Sequence, residues 1–408
     1  MERPRQAVIL AGGRGTRLGL LTADRPKPMV EVAGRPFLWH QIELLRDQGF
    51  TKILLLLGYL PHTITEYFGD GSSLGVDISY SITDVDDLTA KRLALAADLL
   101  DEHFLLAYCD NYLPMNFTVM WEQYKSAGLP VQVTGYLNRD GYSKSGMRVA
   151  DAKVEAFDRT RSAPGLNAVE ISYAIMNRDV VLNLLPQEQE LLEQAVYPSL
   201  VGTAMLGGYL TEHRYYSCGD DKKLAIAERF FARTPTVILD RDGTMNVRPP
   251  QAHYITNPAQ LEWLPGALEA MTLLGQAGYR ILVVSNQAGI GRGAMTTVDL
   301  DRVTEKLMRE AAEVGGPIER VYHCPHGWDE GCLCRKPLPG MLHDAQRDFD
   351  LDLTRTLFIG DDERDGQAAA AAGALFERVD SHQSLLDIVR RLVSADHRSS
   401  THLPATTP

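Results

Sequence analysis

Four acidic or basic side chains, each at the end of or just behind an apolar run, carry the chemistry of the C-terminal half. The segment Thr236 to Thr244, TVILDRDGT, runs four apolar or β-branched residues into Asp240, with Asp242 two positions later. A short apolar run closed by turn residues predicts a buried parallel strand that delivers its last side chains to the carboxyl edge of a sheet. Ligands bind at that edge in open α/β sheets. Two carboxylates placed together there repel, so they imply a cation or a reaction that uses them. One can attack phosphorus while its neighbour moves the proton. Downstream, RILVVSN ends in Ser285 and Asn286, RKP supplies Lys336, and TLFIGD delivers Asp361. Lys336 gives the fixed positive charge that a transferring phosphoryl group needs. Hard oxygen ligands beside a phosphate suit magnesium.

A second cluster lies in CPHGWDEGCLC, residues 324 to 334, where Cys324, His326, Cys332 and Cys334 share one short loop. Three of the chain's five cysteines fall there. Thiolates and imidazole are the ligands zinc prefers, and four of them close a tetrahedral structural site. The net charge of −12 and the absence of an opening secretory h-region imply a cytoplasmic protein, in which clustered cysteines read as metal ligands before disulfides. The zinc is expected to order the loop that presents Arg335 and Lys336.

The motifs at Asp240 and Asp242, Ser285, Lys336 and Asp361, in this order, resemble those of the haloacid dehalogenase superfamily over residues 235 to 393. The zinc loop, with NQAGIGRG after Ser285 and CRKPLPGM after the loop, is similar to the heptose bisphosphate phosphatases. Those enzymes remove the 7-phosphate from D-glycero-D-manno-heptose 1,7-bisphosphate. The histidinol-phosphate phosphatases share the loop, so both substrates are open on this ground. The resemblance implies Asp240 as nucleophile and Asp242 as acid/base, with magnesium held by Asp240, Asp361 and a backbone oxygen of Asp242. Lys336 and Ser285 then hold the phosphoryl group, while Asn286, Gln287, Arg292 and Arg335 face the substrate. Asp362 stands where these enzymes often carry Lys, with Asp365 close behind.

The N-terminal half opens AVILAGGRGTRLG, then RPKPMVEVAGRPFLWH. A strand enters a turn carrying Gly12, Gly13, Gly15 and Thr16, with Arg17 beyond and Lys27 fixed between two prolines. Glycines let backbone N–H groups approach phosphate oxygens. The pattern is neither GxGxxG nor GxxxxGK[ST]. AGGRGTR with the following PKP resembles the sugar-phosphate nucleotidylyltransferases over residues 1 to 233, which join a sugar 1-phosphate to a nucleoside triphosphate and release pyrophosphate. The likeness leans towards the enzymes that make GDP-heptose. It implies that the loop and Arg17 cradle the triphosphate, that Lys27 stabilises its charge, and that Asp110, at the end of EHFLLAYCDN, binds magnesium. The second metal-binding Asp of that family has no direct match. The comparable segment reads SCGDDKK, with Ser217 in its place and Asp220 shifted, and FDRTR offers Arg159 or Arg161 for the sugar-phosphate Lys.

A chain of 408 residues fits two domains. Apolar runs alternating with helical stretches predict two doubly wound α/β domains, one Rossmann-type and nucleotidyltransferase-like, the other haloacid dehalogenase-like, with a disordered tail over 394–408. Net acidity argues against a nucleic-acid partner, and no apolar run is long enough for a membrane. The two halves suggest consecutive steps, since removing one phosphate from a sugar 1,7-bisphosphate leaves a sugar 1-phosphate to be activated. The alternative is an N-terminal half that only binds or oligomerises. The oligomeric state is left open.

Overall fold

The computed structural model describes residues 2–186 and 189–400. It divides into two compact units, Met1–Ala232 and Arg233–Pro408.

Among the described residues, the N-terminal unit holds a nine-stranded sheet ordered Asp77–Ile82, Lys52–Leu57, Gln6–Ala11, His103–Tyr108, Val169–Asn177, Val131–Tyr136, Leu206–Thr211, Lys153–Phe157, Met147–Ala150. The first four run parallel. Successive side chains of a strand point to opposite faces. Ala7, Ile9 and Ala11 accordingly join one apolar cluster, and Val8 and Leu10 join the other. Both faces are covered, which is why Gln6–Ala11 is an unbroken buried run. Half of the sheet follows the doubly wound expectation. The other half is mixed, because Val169–Asn177 lies antiparallel to both of its neighbours. Gln6–Ala11 has Lys52–Leu57 on one side and His103–Tyr108 on the other, so the chain reverses its winding there and the loops beyond the two inner strands part to leave a crevice.

The C-terminal unit repeats this logic with five parallel strands ordered Ile318–Cys324, Arg280–Asn286, Thr236–Leu239, Leu357–Gly360, Leu375–Arg378. Val237 and Leu239 enter one core cluster and Ile238 the other. The reversal lies between Thr236–Leu239 and Leu357–Gly360, the two strands that end at Asp240 and Asp361. The last helix is Leu385–Ser400. It runs through position 394, where a polar tail is expected, because Leu385, Ile388, Val389 and Leu392 keep an apolar face on the core. Residues 401–408 of that expected tail lie outside the described residues. No described helix is long and apolar enough to cross a membrane.

Candidate active sites and a candidate metal centre

At the C-terminal crevice, Lys336 is 4 % exposed and lies between two carboxylates. Its Nζ is 2.6 Å from Asp240 Oδ1 and 2.7 Å from Asp365 Oδ1, and it also donates to the Val284 carbonyl at 3.2 Å. Burial opposes the ammonium, but the two carboxylates outweigh it and raise its pKa. Burial, reinforced by the Asp365 charge and opposed by Lys336, pushes Asp240 up to about 7. Oxygens of Asp240, Asp361 and Asp365 lie within 4.8 Å of one another, a spacing that suits one hard cation. Gly243 has φ +99°, and a Cβ there would stand 2.0 Å from Asp361 Oδ2. Glycine is therefore required after Asp242 if Asp361 is to reach the cluster.

Asp242 directs its carboxylate away from that cluster. It pairs with Arg241 at 2.7 Å and accepts from Asn246 and Gln287, each at 3.0 Å. Burial works against its charge, but Arg241 and these donors prevail and hold it below the usual carboxylate range. The side-chain cluster thus comprises Asp240, Asp361 and Asp365. Asp365 fills the place that the sequence left open between itself and Asp362.

Ser285 is buried at the end of its strand and accepts from Gln287 Nε2 at 2.8 Å. Asn286 clasps the Lys336 peptide from both sides, donating to its carbonyl at 3.0 Å and accepting from its N–H at 3.1 Å. The amides of Asn286 and Gln287, expected to face substrate, line the cleft and hold Lys336, Asp242 and Ser285. Among the described contacts, the Arg292 and Arg335 guanidiniums donate to neutral oxygens, Tyr254 Oη at 3.1 Å and the His326 carbonyl at 3.4 Å. Asp240, Asp242, Ser285, Asn286, Gln287, Arg292, Arg335, Lys336 and Asp365 line one cleft of about 660 Å³. Arg248, Tyr254, Trp328 and Arg364 line it too, and sequence reasoning missed them. Arg248, Tyr254 and Trp328 sit on loops and Arg364 in the first turn of helix Glu363–Ala372, all outside the strand-end pattern, so no strand periodicity announces them.

Cys324, His326, Cys332 and Cys334 bring their ligand atoms within 4.8 Å of one another. Cys324 Sγ is 3.6 Å from Cys332 Sγ and 3.7 Å from His326 Nδ1, and Cys334 Sγ is 3.3 Å from the same nitrogen. A tetrahedron with metal–sulfur bonds of about 2.3 Å has edges of about 3.8 Å, and slightly less where nitrogen replaces sulfur. The sulfurs are too far apart for a disulfide, and the donor set fits zinc.

In the N-terminal unit, Gly12, Gly13, Gly15, Thr16, Arg17, Lys27 and Asp110 line one cavity of about 340 Å³. Lys27 Nζ is 2.5 Å from Asp110 Oδ2. Burial opposes the Lys27 charge and Asp110 restores it, with a net rise in pKa. The buried Arg92 guanidinium packs so close behind the loop that a Cβ on Gly12 would stand 2.3 Å from its Cζ. Arg92 holds the carbonyls of Leu57, Asp84 and Val85 at 2.7, 2.9 and 3.1 Å, bracing the cavity wall. Ser217 pairs with Asn111 in a two-residue ladder, one position from Asp110. Its hydroxyl accepts from the Gly219 N–H at 3.1 Å. Asp220 accepts from Lys223 N at 3.0 Å as the cap of helix Asp221–Phe231. Arg159 lies 3.5 Å from Glu193. Arg161 adopts φ +57° beside Gly146.

Comparison with known proteins finds relatives for both units. A nucleotidyl transferase family model matches residues 6–153, and a HAD-hydrolase-like model matches residues 333–382. The D-glycero-beta-D-manno-heptose-1,7-bisphosphate 7-phosphatase of Bordetella bronchiseptica is 42% identical over 137 residues, 34% of this chain and 75% of that protein. Its counterpart from Pseudomonas putida is 39% identical over 138 residues, 34% of this chain and 78% of that protein. Among solved structures, D,D-heptose 1.7-bisphosphate phosphatase from B. bronchiseptica, complexed with magnesium and phosphate, is 34% identical. It covers 40% of this chain and 99% of its own, with a TM-score of 0.37. HddC from Yersinia pseudotuberculosis, complexed with GMP-PN, is 22% identical, covers 55% of this chain and 99% of its own, and has a TM-score of 0.48. The chain is an enzyme that belongs, through its C-terminal unit, to the family of heptose bisphosphate 7-phosphatases, and it carries that unit fused behind a nucleotidyl transferase domain.

Proposed function

We propose that the chain performs two consecutive steps of nucleotide-activated heptose synthesis. The C-terminal unit hydrolyses the 7-phosphate of D-glycero-D-manno-heptose 1,7-bisphosphate. The N-terminal unit transfers a nucleotidyl group from a nucleoside triphosphate to the heptose 1-phosphate so formed, releasing pyrophosphate. The observation that carries the reading is Lys336 buried between Asp240 and Asp365 at the sheet's reversal point, in a unit 42% identical to a heptose bisphosphatase.

In this reading the Asp240 carboxylate attacks phosphorus in line with the departing sugar oxygen and forms an aspartyl-phosphate. Asp242, ionised beforehand by Arg241, takes up a proton from solvent as a phosphate dianion arrives beside it, donates that proton to the leaving oxygen, and then takes a proton from the water that hydrolyses the intermediate. Lys336 and Ser285 stabilise charge on the transferring oxygens. A magnesium ion held by Asp240, Asp361 and Asp365 would neutralise the carboxylates and let the dianion approach. Zinc held by the four-ligand loop is structural and fixes Arg335 and Lys336 against the cleft.

In the N-terminal unit, the Gly12–Thr16 loop and Arg17 hold the triphosphate, and Lys27 and Asp110 meet at its reacting end. A second reading, an N-terminal unit that binds nucleotide without turning it over, is favoured by Ser217 and by the use of Asp220 as a helix cap. Titrating nucleoside triphosphates with heptose 1-phosphate and magnesium decides between them. Pyrophosphate release supports transfer, and nucleotide binding without pyrophosphate supports the binding module.

A further inference from the structure

Asp362 is an acid where a lysine is expected, and the phosphatase reading leaves it without a role. It has two arginine partners. Arg364 meets it through Nε at 2.8 Å and a terminal nitrogen at 2.9 Å. Arg248, from the loop that follows DRDGT, meets its other side at 3.1 Å. The same guanidinium lies 2.8 Å from Asp361 Oδ2, and its Nε donates to the Asp242 carbonyl at 3.3 Å. Asp361 is one of the three carboxylates whose oxygens cluster within 4.8 Å. Arg248 therefore grips the cation site from its outer side, using a planar fork that matches carboxylate geometry.

We propose that Arg248 is a positioning residue that stands in for the divalent cation. Anchored by Asp362, it holds Asp361 in place while the ion is absent, and the ion displaces it from Asp361 on binding. The inference rests on the phosphatase reading of this site. Its physical basis is charge. Asp240, Asp361 and Asp365 crowd one site, and Lys336 compensates Asp240 and Asp365 but does not reach Asp361 among the described contacts. The Arg248 side chain is 44% exposed, so it can move away without opening the core. The expected lysine has thus become an acid, and the cation is supplied from another loop by a side chain long enough to leave. Ion binding must then compete with an internal cation.

The test uses the full-length protein without substrate. Magnesium is titrated calorimetrically into the unmodified chain and into Arg248→Gln, and the variant is expected to bind at least fivefold more tightly. In parallel, the unmodified chain is treated with phenylglyoxal with and without magnesium, and the Arg248 peptide is quantified by mass spectrometry. Labelling at least threefold faster with magnesium is expected, because a guanidinium released from Asp361 is open to the reagent. Equal or weaker magnesium affinity in the variant overturns the assignment. So does labelling that magnesium does not change, since a field effect alone would tighten binding without moving the side chain. Failure of the phosphatase reading would look different, as no phosphate release from heptose bisphosphate or from simple phosphomonoesters.

Discussion

Replacing Lys336 by Met separates what this residue does for the fold from what it does for the reaction. The ammonium lies 2.6 and 2.7 Å from two carboxylates and is almost wholly buried. Removing one partner of a buried ion pair costs about 3–5 kcal/mol, because the remaining charge stays desolvated. In a unit of this size each kcal/mol moves the melting temperature by roughly 2–4 °C, so the C-terminal transition should fall by about 6–20 °C without magnesium. Magnesium should restore at least half of that loss, since it neutralises the same carboxylates. Catalysis should not follow. A fixed donor to the transferring oxygens contributes roughly 10²–10³ in kcat, and saturating magnesium, which the parent binds as well, does not supply that donor. Calorimetry with and without magnesium, run beside phosphate release at saturating magnesium, measures both. A variant that melts within 2 °C of its parent without magnesium refutes the buried-pair argument. A variant whose turnover magnesium restores refutes the role assigned to Lys336 in the transition state.

Three further outcomes are expected. Cys332→Ser should lose the single zinc found by elemental analysis of protein purified without chelator, and phosphatase activity should fall with it, because metal binding and loop order are coupled. Lys27→Ala should slow pyrophosphate release at least 10²-fold through kcat while phosphate release stays within twofold of its parent; equal slowing of both would contradict two separate sites. Glu170 accepts from Ser172 N at 2.6 Å, yet burial, outweighing that bond, pushes it up to about 7. The stability its neutral form contributes is complete below the unfolded value of about 4.3 and is lost as the pH rises through 7. Glu170→Gln should therefore stabilise the N-terminal transition at pH 8.5, by at most about 4 kcal/mol, and leave it unmoved at pH 4, as differential scanning calorimetry would read.

The sequence made legible whatever sits at a strand end. Asp240, Ser285, Asp361 and Asp110 each close an apolar run, and the sheets place them as that pattern implies. The clustering of Cys324, His326, Cys332 and Cys334 was legible from spacing alone, because one short loop carries them. What escaped was set by side-chain choice among several possible partners. Asn286 and Gln287 are expected on sequence grounds at the cleft, which they line, but nothing in the pattern announces that their amides also close hydrogen bonds onto Lys336 and Asp242. Arg248 reaches Asp361 and Asp362 across more than a hundred residues, and no local pattern marks such a pair. The antiparallel strand Val169–Asn177 was hidden for a related reason. Its burial reads the same in either direction, and only the pairing with His103–Tyr108 and Val131–Tyr136 sets its sense.

The central claim is that one chain carries two sugar-phosphate steps in sequence, and following both products from one substrate tests it most directly. The unmodified protein is given heptose 1,7-bisphosphate, magnesium, and each common nucleoside triphosphate in turn, with phosphate and pyrophosphate measured separately in the same reaction. The account predicts that phosphate appears first, one per sugar, and that with one of the triphosphates pyrophosphate follows until it reaches one per sugar. Phosphate release with no pyrophosphate from any triphosphate and either anomer would contradict the two-step claim and leave the N-terminal unit a binding module.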